Sequence, residues 1–185
     1  PKSRTMKYFK YLLGIIACLV IGFFLLGMIK PELSYECEIM VEKPIAECWA
    51  VSQDETKMAD WLAGYQQIKP ISGEPGKIGS IADVYFNNEG QEMIIRETIT
   101  KIEPNESISM LFESDFMNMN YKFSMRSING QTKIFSNTTA IGNGAISKSI
   151  MVLMGSFIKG QEELNLAMLK KTIESNSTIY SLKEN

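Results

Sequence analysis

Nineteen consecutive residues, Tyr11 to Ile29 (YLLGIIACLVIGFFLLGMI), carry no charge, and they need a solvent other than water. As a helix they would measure roughly 28 Å, close to the roughly 30 Å hydrocarbon thickness of a bilayer. A cleaved signal peptide has an apolar stretch of about 7 to 15 residues followed by a small-x-small site. Here the stretch is longer, and Leu25 spoils the site after Gly27. Ile15-Ile16-Ala17-Cys18 resembles a lipoprotein cleavage box, yet eleven apolar or small residues continue past Cys18. The expectation is a single spanning helix over 11–29, with cleavage or a buried core helix as the alternatives.

Charge orients the span. Lys2, Arg4, Lys7 and Lys10 precede it and Lys30 closely follows it, so the basic segment 1–10 is expected in the cytoplasm and the rest on the periplasmic or extracellular side. Residues 1–5 (PKSRT) stand before Met6, and their charges point the same way. Beyond residue 30 the chain keeps 14 basic residues against 21 acidic ones, a net charge of −7. An acidic domain without a basic stripe predicts no nucleic-acid partner.

After a short linker, 30–34, the pattern changes. Tyr35, Cys37, Ile39 and Val41 alternate with Glu36, Glu38 and Glu42, the period of a half-buried strand. Pro44 opens a helix that ends near Ser52, and Asp54 caps a second short helix reaching Trp61. Strands separated by turn residues follow at 68–71, 81–86, 93–102, 108–113, 117–127 and 132–140, the last two joined by Asn129-Gly130. Met117, Met119, Tyr121, Phe123 and Met125 alternate with Asn118, Asn120, Lys122, Ser124 and Arg126, which predicts one apolar and one wet face. From about Ser147 to Glu174 the period becomes helical, with Ile150, Leu153, Met154, Phe157, Ile158, Leu164, Met168 and Ile173 expected on a stripe facing the sheet. A polar tail, 175–185, closes the chain. Cys37 and Cys48 fall on apolar faces and are expected as buried free thiols, a disulfide being the alternative.

This order of elements resembles the SRPBCC superfamily of START-like, pollen-allergen-like and polyketide cyclase/dehydrase-like domains over about Tyr35 to Glu174. The resemblance rests on Pro44-Ile45-Ala46-Glu47-Cys48-Trp49, Trp61, Gly76-Lys77-Ile78-Gly79-Ser80, Arg96 through Pro104 (RETITKIEP) and Gly130-Gln131-Thr132-Lys133-Ile134. It implies an α+β helix-grip fold: an antiparallel sheet of six to seven strands wrapped around the long C-terminal helix, two short helices after the first strand, and a cavity between sheet and helix for a hydrophobic molecule. The anchor lies outside that likeness.

The chemistry is sparse. The chain contains no histidine, which removes His-based triads and His metal ligands, and no glycine loop matches a nucleotide fingerprint. No catalytic residue, metal or cofactor is expected. Glu97 shares its strand face with Met93, Ile95 and Ile99 and is the best candidate for a buried carboxyl, an exposed ion pair being the alternative. Twelve methionines offer adaptable apolar walls. The expected lining comprises Trp61, Tyr85, Met93, Ile95, Glu97, Met110, Phe112, Met117, Met119, Tyr121, Phe123 and Ile134, with Met154, Phe157 and Ile158 from the helix. The expected function is a membrane-anchored binder of a hydrophobic small molecule or lipid. The alternatives are a cyclase-, dehydratase- or hydrolase-like enzyme using the same cavity, and an interaction module in which the cavity has collapsed.

Overall fold

Two-residue turns set the sheet. Glu89-Gly90 and Asn129-Gly130 both take positive φ at both positions (53° and 87°; 52° and 83°), the backbone that joins right-twisted strands without splaying them. The computed structural model describes residues 2–180, with side chains from Tyr8 onward. The long helix α1 (Lys2–Ile29) is followed by β1 (Glu32–Val41), α2 (Ile45–Ser52), a short 3-10 turn (Glu55–Lys57) capped by Asp54, and α3 (Met58–Trp61). Then come β2 (Tyr65–Ser72), β3 (Ile81–Asn88), β4 (Gln91–Glu103), β5 (Ser107–Glu113), β6 (Met117–Ile128), β7 (Gln131–Gly142) and α4 (Ala145–Glu174). The seven strands form one antiparallel sheet in the order β1-β7-β6-β5-β4-β3-β2. This is the helix-grip arrangement, with α4 lying over β1 and β7.

Several boundaries move outward, β2 to Tyr65–Ser72 and β4 to Gln91–Glu103 among them. β1 begins at Glu32, so only Lys30 and Pro31 separate it from α1, and the linker 30–34 shrinks to two residues. The long helix starts at Ala145, two residues before the expected Ser147.

Register follows the alternation of β6. Met110, Tyr121, Thr138 and Tyr35 lie side by side across β5, β6, β7 and β1; Ala82, Glu97, Phe112, Met119 and Ala140 form the neighbouring row. The packed core occupies the end of the sheet remote from α1. There Val41, Cys48, Val51, Phe123, Met125, Ile134, Leu166, Leu169 and Ile173 are all buried. Burying each such side chain contributes about 1.5–3 kcal/mol. Cys37 and Cys48 are separate buried thiols, and burial pushes both thiols up.

The stripe expected on the long helix is corrected. Met151, Gly155, Leu166, Leu169 and Ile173 face the sheet, with Ile158 half-buried beside them, whereas Leu153, Met154, Phe157, Leu164 and Met168 point outward. α4 is apolar on two sides, so periodicity alone could not choose between them. Gly155 is what the sheet selects: a Cβ there would lie 3.0 Å from Leu33 Cδ1, so the helix approaches β1 most closely at that residue.

One helix, α1 over Tyr8–Ile29, is long and apolar enough to cross a membrane, and almost none of it is buried against the domain. Its last turns do touch the domain. Gly27 is buried, and a Cβ placed on it would fall 2.6 Å from Ser149 Oγ and 2.7 Å from Ser149 N.

Candidate functional site

α4 packs chiefly along β1 and β7, which leaves the concave face of β4, β5 and the adjoining part of β6 less deeply buried in the half nearer α1. The residues there, Ile95, Glu97, Met110, Phe112, Met117 and Met119, are half-buried, and Met93 at the edge is exposed. In place of the expected deep cavity these residues make a half-buried, largely apolar stretch of the concave face, and the hollows of about 450 and 290 Å³ lie elsewhere.

Glu97 is the one charge on that stretch. It faces Ala82 and Phe112 on the flanking strands, and its carboxylate has no hydrogen-bond or ion-pair partner among the described residues. Desolvation, with nothing to offset it, raises its pKa to about 7. Arg96, on the opposite face of β4, is spent on the outer surface, where Nε and Nη2 donate to the two Asp83 carboxylate oxygens at 3.0 and 3.2 Å. The expected contrast between Glu97 inside and Arg96 outside is what the strand does.

A polar strip divides this stretch from the packed core. The Tyr121 hydroxyl donates to Glu162 Oε1 on α4 at 2.8 Å, and the Phe112 ring meets the Tyr121 ring edge-on at 6.0 Å. Burial, then the neighbouring Glu162 carboxylate, pushes the Tyr121 phenol well above its ordinary value. Tyr35, in the same row, is pushed up to about 12, chiefly by burial. The indole Nε1 of Trp61 is buried without a hydrogen-bond partner among the described residues, while the buried Thr138 and Ser136 hydroxyls lie beside the Tyr35 and Tyr121 phenols. An unmet donor of this kind costs about 1–3 kcal/mol.

The expected lining therefore divides. Met93, Ile95, Glu97, Met110, Phe112, Met117, Met119 and Tyr121 share the concave face, and Trp61 on α3 and Ile158 on α4 are half-buried at its borders. Phe123 and Ile134 are instead packed into the core. Tyr85 is a correction: it lies on the convex face with Asp83, pairs with Ile94, and carries the Lys69 ammonium 4.5 Å above its ring. A strand reverses its side chains at each residue, and Val84 took the inward position. Met154 and Phe157 are corrections too, 42% and 67% exposed on the outer side of α4. Missed from the sequence were Tyr35, Ser136, Thr138 and Glu162. The signal for the middle pair was present, since Thr132, Ile134, Ser136, Thr138 and Ala140 alternate along β7 and place three hydroxyls inward. Glu162 carried none, because a lone acid in a helix reads as a solvated face.

Those hollows lack this chemistry. One of about 450 Å³ at the far end is lined by Ile45, Glu103, Lys122, Met125 and Arg126 and sits away from Glu97. The Glu103 carboxylate there already accepts from Lys101 and Ser107, which lowers its pKa. Among the described residues no group of three or more His, Cys, Asp or Glu side chains is placed to hold a metal ion.

No protein-family model matches the chain, and no curated protein matches it in sequence. Solved structures share its fold. Ara h 8.0201 superposes with a TM-score of 0.62 at 16% identity, covering 78% of this chain and 99% of its own. The Zhui aromatase/cyclase from Streptomyces sp. R1128 does so at 0.61 and 12% identity, covering 77% and 94%. The di-domain aromatase/cyclase BexL from the BE-7585A biosynthetic pathway gives 0.63 at 12% identity, with 82% of this chain and 53% of that one. At such identities the likeness establishes the helix-grip fold and nothing about the ligand.

Proposed function

We propose that this chain is a single-pass membrane protein whose domain holds a hydrophobic small molecule or lipid against the concave face of β4–β6. The observation that carries the reading is Glu97, a desolvated carboxyl without a charged partner among the half-buried apolar side chains of Ile95, Phe112 and Met119 on the concave face. An apolar surface with one or two isolated polar groups is the usual makeup of a small-molecule site, with the apolar part giving affinity and the polar part orientation. In its protonated form, which a pKa of about 7 keeps well populated near neutral pH, Glu97 donates a hydrogen bond to a carbonyl or hydroxyl of the guest; Met110, Met117 and Met119 adapt to its shape. Tyr11–Ile29 forms the anchor, with residues 1–10 in the cytoplasm and the domain on the opposite side.

The test is native mass spectrometry of the domain from Lys30 onward, with lipid extraction of what co-purifies and titration with a fluorescent fatty acid. A bound apolar molecule displaced by the probe is expected. A domain that emerges empty and takes up no probe would favour the interaction module instead.

A second reading is favoured by the same carboxyl. An acid titrating near 7 beside an apolar guest is poised for general acid or base catalysis, and two of the similar structures are described as aromatase/cyclases. Turnover of a polyketide-type substrate that is lost in Glu97→Gln while binding persists would move the assignment from carrier to enzyme.

A further inference from the structure

The end of the domain from which α1 departs carries its own apolar rim. Phe116 in the β5–β6 turn is 42% exposed, Ile141 at the end of β7 42%, Ile146 in the first turn of α4 59%, and Leu153 two turns on 63%. They are held together: Asn143 N donates to Phe116 O at 2.9 Å, and Asn143 Nδ2 donates to Ser114 O at 2.7 Å, fastening the β5–β6 turn to the loop between β7 and α4. Exposed apolar side chains grouped in this way on a soluble surface mark something that covers them.

The height of the rim relative to α1 is fixed by contact. Gly27 lies against Ser149, and Leu33 lies against Gly155, so α4 advances alongside the chain as it leaves α1. Gly27 is two residues before the end of the apolar run, or about 3 Å below Ile29 along the helix. Ser149 is therefore at the depth of the last turn of the span, and Ile146 is three residues nearer the start of α4. With only Lys30 and Pro31 between α1 and β1, the domain cannot lift away: three peptide units reach at most roughly 11 Å. Whatever bounds the end of α1 also meets Phe116, Ile141 and Ile146.

We propose that this rim is a lipid-contacting surface, with Phe116, Ile141, Ile146 and Leu153 inserted into the headgroup-to-acyl boundary of the leaflet from which α1 emerges. The proposal rests on the reading that α1 crosses the bilayer. Lys30 and Lys148, the latter beside Gly27, supply cations at headgroup level, and Asp115 next to Phe116 limits how deep that ring can go. The arrangement also sets the concave face. Met93 and Met117, its residues at the α1 end of β4 and β6, lie toward the lipid, so an apolar guest passes between bilayer and sheet without crossing bulk water.

The experiment uses the full chain in phosphatidylcholine/phosphatidylglycerol vesicles, with an environment-sensitive fluorophore on single accessible thiols and lipids carrying doxyl quenchers at shallow or deep positions. The native Cys18, in the middle of α1, reports the span itself. In a Cys18→Ser background, Phe116→Cys and Ile146→Cys report the rim, and Ile78→Cys, exposed in the β2–β3 turn at the opposite end, is the aqueous reference. Deep doxyl is expected to quench at Cys18, shallow doxyl at 116 and 146, and neither at 78. Quenching at Cys18 while 116 and 146 behave like 78 overturns the proposal and leaves the anchor standing. No quenching at Cys18 overturns the anchor and the proposal with it. Labels at 116 and 146 that are blue-shifted yet blind to every lipid quencher would mean that a protein covers the rim, which also overturns it.

Discussion

The hydroxyl of Tyr121, in the middle of the sheet, donates to the carboxylate of Glu162, in the middle of the C-terminal helix, at 2.8 Å. Burial and that carboxylate keep the phenol protonated well beyond ordinary pH, so the hydroxyl remains a donor throughout that range. Tyr121→Phe leaves Glu162 part-buried without its donor. A loss of about 1–3 kcal/mol in urea denaturation is expected, and an unchanged midpoint would show the carboxylate to be satisfied by water.

Glu97 makes stability depend on pH in a stated direction. Its folded pKa, about 7, lies above the 4.5 of the free group, so between those values the folded state binds more protons than the unfolded one. Stability therefore falls as pH rises from about 4.5 to about 7 and is level above that. Glu97→Gln removes the penalty. The variant should match the parent near pH 4 and exceed it at pH 8 by at most about 3 kcal/mol, read as the difference between two melting curves at each pH. A variant no more stable at pH 8 than the parent would mean that the carboxylate is hydrated on the concave face.

Met119 and Phe123 alternate on one strand face yet should respond differently. Met119→Gln, on the half-buried concave face, is expected to fold with a near-normal Tm and lose uptake of a fluorescent fatty acid. Phe123 is 4% exposed among core residues; Phe123→Asp buries an unpaired charge at a cost of several kcal/mol and should unfold the domain. If Met119→Gln unfolds the domain while residual binding is unchanged, this face is plain core and the carrier reading fails.

The anchor is checked by fractionation. Full-length protein should remain in membranes after an alkaline carbonate wash, and a chain beginning at Lys30 should be soluble. A cut at Ser34, which the linker pattern suggested, would remove the first two residues of β1. Protease added outside spheroplasts should digest the domain; digestion only after lysis would reverse the orientation.

Much of this architecture is readable in the residues. The alternation of Met117 through Arg126 fixed the face of β6, and Asn129-Gly130 fixed the turn that follows it. Glu97 could be placed inward because Met93, Ile95 and Ile99 share its parity. What failed was the choice between two faces of comparable character. α4 carries apolar side chains on both sides, and only the close approach of Gly155 to Leu33 decided which met the sheet. Tyr85 and Val84 differed by a single residue of parity. Glu162 joins the polar strip through its hydrogen bond with Tyr121, a partner 41 residues distant, and no local pattern encodes that pairing.

The two residues between α1 and β1 leave the domain without a leash. On the proposed reading of α1 as a membrane anchor, a domain held this close by Lys30 and Pro31 would not sweep a volume in search of cargo or bridge to a second membrane, as a protein on a long flexible stalk can. On that reading its encounters would reduce to lateral diffusion in one leaflet. Delivery should therefore scale with the surface density of a molecule in that leaflet rather than with its concentration in solution. Inserting a long Gly/Ser stretch at this joint would convert a planar search into a three-dimensional one without altering a single contact on the concave face.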